Sequence, residues 1–116
     1  MLDKNGGPNH VGNYCGAPIM IDTESKEVYY TPIYYILAQF SKTIRPGDKA
    51  LQTYKALYNL EDDALHACAT INDSNLLSVQ LLNTTGEKIT FSLQIKEQFA
   101  EITIDENALQ TVQIQL

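Results

Sequence analysis

Hydrophobic positions along the chain change their period near its middle. From residue 65 onward they recur every second residue. Leu65, Ala67, Ala69 and Ile71 alternate with His66, Cys68 and Thr70, and Ile89, Phe91, Leu93 and Ile95 alternate with Thr90, Ser92, Gln94 and Lys96. Ala100, Ile102 and Ile104 do the same with Glu101 and Thr103, as do Val112, Ile114 and Leu116 with Gln113 and Gln115. A period of two with one polar side predicts antiparallel strands covering a shared core. Residues 76–83 are more apolar throughout, which predicts a central strand. The polar segments 72–75 and 84–87 predict two hairpins, one joining 65–71 to 76–83 and the other joining 76–83 to 88–96. With a further strand within 51–58, about six short strands result, the pattern of a β-sandwich.

The first half follows other rules. Residues 1–9 are loop chemistry, with Gly6, Gly7 and Pro8 beside two asparagines. Two short apolar runs, 17–22 and 27–30, flank the polar turn Thr23-Glu24-Ser25-Lys26 and predict a hairpin. A helix over 31–44 comes next. Thr31 is placed to accept from the free amides of the first turn, and Pro32 suits the first helical position, where its missing N–H costs nothing. Ile33, Ile36, Leu37 and Phe40 fall at i, i+3, i+4 and i+7, one apolar stripe that Tyr34 and Tyr35 widen. Arg45-Pro46-Gly47 ends it.

The chain has 116 residues, enough for a core, and its two cysteines cannot make the dense disulfide frame of a small secreted scaffold. The formal charge of −6 argues against nucleic acid or an anionic membrane as the main partner. Residues 1–47 balance four basic against four acidic side chains, so residues 48–116 hold the whole excess. No segment approaches 18 continuous apolar residues, so no transmembrane segment is expected, and the first 20 residues lack a secretory signal pattern.

Chemistry is sparse. Glu61-Asp62-Asp63 lacks the spaced oxygens and turn glycine of an EF-hand and reads as a solvated loop. His66 and Cys68 share one strand face, but two ligands make no zinc site, and a polar strand face accounts for them. No phosphate-binding glycine loop or Cys-x-x-Cys is present, so no cofactor and no metal is expected. The spacing of Cys15 and Cys68 gives no ground for a disulfide. One dense constellation stands out, Gly6-Gly7-Pro8-Asn9-His10-Val11-Gly12-Asn13-Tyr14-Cys15. It joins small residues that let the backbone turn sharply to His, Asn and Tyr side chains that hydrogen-bond or stack on a polar ligand, and it reads equally as an irregular loop.

That loop, followed by Ala17-Pro18-Ile19 with Asp22, Glu27-Val28-Tyr29-Tyr30 leading into Tyr34-Tyr35, and Phe40-Ser41-Lys42 with Ile44-Arg45-Pro46-Gly47, resembles the C-terminal region of glycoside hydrolase family 30, the glucosylceramidase group. Order and spacing match over about the first 47 residues. Residues 63–116 are similar in pattern to the family's C-terminal sandwich, with Asn83 ending a central strand and Thr111 in the last one. The resemblance implies a mainly β fold: an antiparallel β-sandwich over 48–116, preceded over 1–47 by a loop, short hairpin and one α-helix left from a (β/α)8 barrel. Family members cleave β-glycosidic bonds with retention, using two glutamates about 5–5.5 Å apart. Those glutamates follow the fourth and seventh barrel strands, so neither falls on this chain and no catalytic residue is carried over. The loop over 1–16 corresponds to the one after the eighth strand, of which only Leu2-Asp3 remains. Barrel active sites lie at that face, so the resemblance places His10, Asn13 and Tyr14 at the substrate rim. Animal glucosylceramidases carry Trp, Arg and Phe at the positions of His10, Gly12 and Tyr14, which leaves glycone and aglycone open.

The implied function is the C-terminal portion of a retaining β-glycosidase, inert alone, whose carbohydrate or glycolipid substrate binds through the missing barrel of a secreted or periplasmic parent. The alternative is an independent carbohydrate-binding or protein-interaction sandwich. Tyr54 and Tyr58 are its only stacking candidates, and core packing or an ordinary strand face is the expected use of both. An apolar helix stripe without its barrel strands, beside an incomplete sandwich edge, also predicts self-association through helix 31–44.

Overall fold

A computed structural model describes all residues except Asn9, residues 57–60 and Asp62. It divides into two compact units, Met1–Thr43 and Ile44–Leu116.

In the first unit, β1 (Leu2–Asp3), β2 (Ile19–Ile21) and β3 (Val28–Tyr30) form a sheet in that order. The hairpin is present, with Ile19 opposite Tyr30 and Ile21 opposite Val28. Asp22 shapes its turn: one carboxylate oxygen accepts from the N–H of Glu24 at 2.9 Å and of Ser25 at 3.3 Å. β1 runs parallel to β2, pairing Leu2 with Met20 and Asp3 with Ile21. Ala17 and Met20 are the buried apolar side chains of this unit.

The helix α1 spans Pro32–Thr43, close to its sequence limits. Its start is built differently from expectation. The Thr31 hydroxyl donates to the carbonyls of Ala17 and Pro18 at 3.0 and 3.2 Å, while the backbone carbonyl of Thr31 accepts from Tyr34 N–H at 2.9 Å. The hydroxyl therefore ties the helix to the segment before β2 instead of capping it. Tyr34 packs against Tyr30, their ring centroids 4.6 Å apart. No residue of the helix is fully buried.

The second unit is an antiparallel two-sheet sandwich. β4 (Lys49–Leu51), β5 (Leu65–Ile71), β6 (Leu76–Asn83) and β9 (Leu109–Gln115) form one sheet in the order β4-β5-β6-β9, and β7 (Ile89–Ile95) pairs with β8 (Gln98–Ile104) in the other. Leu65, Ala69, Leu77, Val79 and Leu81 from the first sheet meet Ile89 and Ile104 from the second in one core. β6 is central, as its composition implies. Its alternate residues Ser78 and Gln80 are also buried, where Ser78 accepts from the Gln113 amide at 3.0 Å and Gln80 from the Cys68 thiol at 3.6 Å.

Three expectations change here. Residues 76–83 and 88–96 do not form a hairpin: β6 pairs with β5 and β9, and β7 pairs only with β8 among the described residues. The turn after β6 carries the chain into the opposite sheet, because Asn83 at its end is wholly buried and binds that turn from inside. The strand placed within 51–58 lies earlier, at Lys49–Leu51, and residues 57–60 fall outside the described residues. Ala67, expected on the covered face, is exposed.

Candidate functional site

The loop between β1 and β2 is organised from its base. One carboxylate oxygen of Asp3 accepts from the N–H groups of Asn5 and Gly7, both at 2.9 Å. The Asp3 N–H donates to the Gly7 carbonyl at 2.7 Å, and Gly6 N–H donates back to the Asp3 carbonyl at 3.0 Å. Such side-chain bonds to nearby backbone are what aspartate offers a turn. Lys4 anchors the same base to the hairpin, its N–H donating to the Ile21 carbonyl and its ammonium lying 3.2 Å from both Asp22 and Glu24.

Gly6 is the crossing point. Its φ is +80°, and a Cβ there would stand 2.4 Å from the backbone nitrogen of Cys15 and 2.9 Å from the Cα of Tyr14. Only glycine fits both demands. The returning limb of the loop therefore rests directly on Gly6, and the Tyr14 side chain beside that contact is turned outward, 72% exposed. His10 and Asn13 are exposed on the same loop. The three residues singled out from sequence thus share one exposed segment fastened at its base.

Charges around this base shift one another. Hydrogen bonding from the Glu24 backbone, then from Lys4, holds the Asp22 carboxyl below its ordinary range, and the carboxylates of Asp22 and Glu24 raise Lys4. Tyr29 donates its phenol proton to Glu27, which raises the Tyr29 pKa. Both glutamates of the hairpin are thereby engaged with neighbours on their own unit.

Asp3, the residue that shapes the loop, is the one sequence reasoning passed over. The signal was present: an aspartate two residues before Asn5-Gly6-Gly7-Pro8 is an Asx-turn arrangement. His66 and Cys68 lie exposed on β5, and Cys15 and Cys68 are free thiols. Among the described residues no three potential metal ligands converge. Tyr54 corrects an expectation, since it sits beyond the end of β4 and is 85% exposed, neither in the core nor on a strand. Tyr58 and the middle residue of Glu61-Asp62-Asp63 lie outside the described residues.

The described residues form a two-sheet antiparallel sandwich preceded by a fastened loop, a hairpin and one amphipathic helix. The glycosyl hydrolase family 30 TIM-barrel domain matches residues 1–44, and the glycosyl hydrolase family 30 beta sandwich domain matches residues 55–112. The chain belongs to glycoside hydrolase family 30. Putative glucosylceramidase 4 of Caenorhabditis elegans is 30% identical over 97% of this chain and 22% of its own length. The lysosomal acid glucosylceramidase of Mus musculus is 30% identical over 79% of this chain and 17% of its own. Among solved structures, SrfJ from Salmonella typhimurium superposes with a TM-score of 0.84 at 22% identity, over 99% of this chain and 25% of that one. The endo-beta1,6-glucanase BT3312 gives 0.78 at 19% identity, over 97% and 25%. These two likenesses show the fold. The chain spans about a fifth of the length of the relatives and a quarter of the solved structures.

Proposed function

We propose that this chain serves as the C-terminal portion of a retaining β-glycosidase of the glucosylceramidase type. In that reading residues 1–47 are the terminal barrel segment and residues 48–116 a stabilising sandwich domain. The loop over 1–16 forms part of the substrate rim, with Tyr14 stacking against a sugar or aglycone and His10 and Asn13 hydrogen-bonding to its hydroxyls. The substrate is a carbohydrate or glycolipid held mainly by the rest of the barrel. In this reading neither catalytic glutamate of the family falls on this chain, which is inert alone.

The observation that carries this reading is the crossing at Gly6, which presents Tyr14 outward from a fixed base. The likeness to the lysosomal acid glucosylceramidase of Mus musculus and to Putative glucosylceramidase 4 supports the reaction class. The test is a chimera in which this chain replaces the matched quarter of SrfJ, assayed on an aryl β-glucoside. The chain alone gives no turnover and the chimera does. Within the chimera, Tyr14→Ala raises KM about tenfold, equivalent to about 1.4 kcal/mol of binding, with a smaller change in kcat. Turnover by the isolated chain, or loop variants of an active chimera that behave as the parent, would sink the proposal.

The exposure of Tyr54 favours one second reading, an independent carbohydrate-binding sandwich. Calorimetric titration of the isolated chain with cello-oligosaccharides decides it: binding that Tyr54→Ala abolishes would carry this second reading.

A further inference from the structure

The hairpin of β7 and β8 covers the sandwich core with one face only. Ile89 and Ile104 are buried there, and Phe91, Leu93, Ile95 and Ile102 pack against that core. Strand alternation sends the intervening residues to the opposite face. Three cross-strand pairs stand on it: Thr90 with Thr103, Ser92 with Glu101, and Gln94 with Phe99. All six are exposed. Phe99 is the one aromatic ring among them and keeps 67% of its surface in water.

The polar groups beside that ring are largely unspent. Thr90 and Thr103 bond to each other at 2.8 Å, and the Gln94 amide nitrogen donates to the Lys96 carbonyl at 2.9 Å. The Gln94 amide oxygen, the Ser92 hydroxyl and the Glu101 carboxylate have no hydrogen-bond partner among the described residues. The ion pair of Lys88 with Asp105 at 2.7 Å lies beyond the last of the three pairs, so Glu101 is the single formal charge on this face. Opposite residues stand about 5 Å apart and successive pairs about 7 Å apart. Phe99, Gln94, Ser92 and Glu101 therefore frame one patch.

Three acceptors around one apolar ring define what can sit there. The ligand must donate several O–H groups and also present a C–H face. A pyranose does both: its axial hydrogens lie against the electron-rich face of an aromatic ring, while its equatorial hydroxyls donate sideways to carboxylate, amide and hydroxyl oxygens. A folded protein is a poorer match. Two strands of seven residues offer about 240 Å² of face, against about 800 Å² per partner in a stable protein interface.

We propose that the outer face of the β7–β8 hairpin is a glycan-binding platform. Phe99 stacks on one ring of a neutral oligosaccharide, and Glu101, Ser92 and Gln94 accept from its hydroxyls. The choice of a glycan rests on the glycosidase reading above, but the platform shares no residue with loop 1–16 and does not include Tyr54. A second attachment point of this kind raises the effective concentration of a polymeric substrate.

The test is calorimetric titration of the full chain with three tetrasaccharides, of β-1,4-linked glucose, β-1,4-linked xylose and β-1,6-linked glucose, with amide spectra recorded alongside. At least one binds with a dissociation constant at or below about 1 mM and shifts the amides of residues 92–94 and 99–101. Phe99→Ala weakens that binding at least about tenfold, and Phe99→Tyr retains it. Glu101→Ala weakens it at least about threefold. Tyr14→Ala and Tyr54→Ala bind as the parent does. Circular dichroism shows parent-like melting for the Phe99 and Glu101 variants, which separates lost binding from lost folding.

Three results overturn the proposal: no binding of any of the three tetrasaccharides, binding that neither Phe99→Ala nor Glu101→Ala weakens, or binding that Tyr14→Ala or Tyr54→Ala abolishes. An active chimera sensitive to Tyr14→Ala, beside a chain that binds no tetrasaccharide, overturns this inference alone. Binding that depends on Phe99, beside an active chimera indifferent to Tyr14→Ala, overturns the rim reading alone.

Discussion

Replacing Asn83 with alanine removes the side chain that turns the chain from one sheet of the sandwich into the other. Asn83 has no exposed surface. Its amide nitrogen donates to the carbonyls of Glu87 at 2.7 Å and Asp105 at 2.9 Å, and its oxygen accepts from the N–H of Thr85 at 2.9 Å and the Thr85 hydroxyl at 2.8 Å. Four hydrogen bonds at about 1 kcal/mol net each, reduced where water rehydrates the freed turn, give a loss of about 3–4 kcal/mol. At about 4–8 °C per kcal/mol for a domain of this size, the melting temperature falls by roughly 12–30 °C. Thermal and urea unfolding followed by circular dichroism measures both quantities. A second substitution isolates the donor. Asn83→Asp keeps both acceptors toward Thr85 but sets a carboxylate against the two carbonyl oxygens that the amide had bonded. The folded state then raises the pKa of the introduced carboxyl above its unfolded value of about 3.9. The variant is accordingly most stable below that value and loses stability as pH rises through the raised one. A melting temperature within about 4 °C of the parent for the alanine variant, or a parent-like pH profile for the aspartate variant, would refute the role assigned to Asn83.

Gly6→Ala forces a Cβ against the backbone of Tyr14 and Cys15 at positive φ. It should cost about 1–3 kcal/mol of local strain and broaden or shift the amide resonances of residues 13–15, and unchanged spectra would remove the crossing from the argument. Ile104→Ala, at the fully buried centre of the sandwich, should destabilise by about 2–5 kcal/mol in urea unfolding, and a loss under 1 kcal/mol would mean the two sheets do not share that core. The Asp22 carboxyl, held low in the folded state, contributes stability above the ordinary carboxylate pKa and loses it as pH falls through the depressed value. Carbon-detected titration should find a midpoint below the ordinary range. Lys4→Met should raise it only partway, because the Glu24 N–H bond remains, and a full return to the ordinary value would assign the shift to Lys4 alone.

The strands, the helix limits and the loop rich in glycine were legible because each is written in a local pattern: alternation for β5 and for β7 to β9, a more continuous apolar run for β6, a 3.6-residue stripe for α1, and turn residues at Asn72, Asn75 and Gly6. The pairing after β6 was not. A polar turn between two apolar runs reads as a hairpin whether the second run returns beside the first or crosses to another sheet. At 84–87 the deciding contacts come from Asn83 to Asp105, 22 residues away. Tyr54 was misplaced for a related reason, since nothing in Leu51-Gln52-Thr53-Tyr54-Lys55 marks where the strand stops. In the candidate site, His10, Asn13 and Tyr14 were visible as side-chain types, but Asp3 was passed over because its work is done through backbone amides.

The sequence by itself determined the class of fold, the helix and its stripe, the glycine-rich character of the loop and the membership in family 30, because periodicity, turn composition and motif order are properties of neighbouring residues. Tertiary structure alone decided which strand lies beside β6 and what crosses Gly6. Those outcomes depend on groups distant in the chain meeting in space, and a local pattern states only that a surface must be covered, not by what.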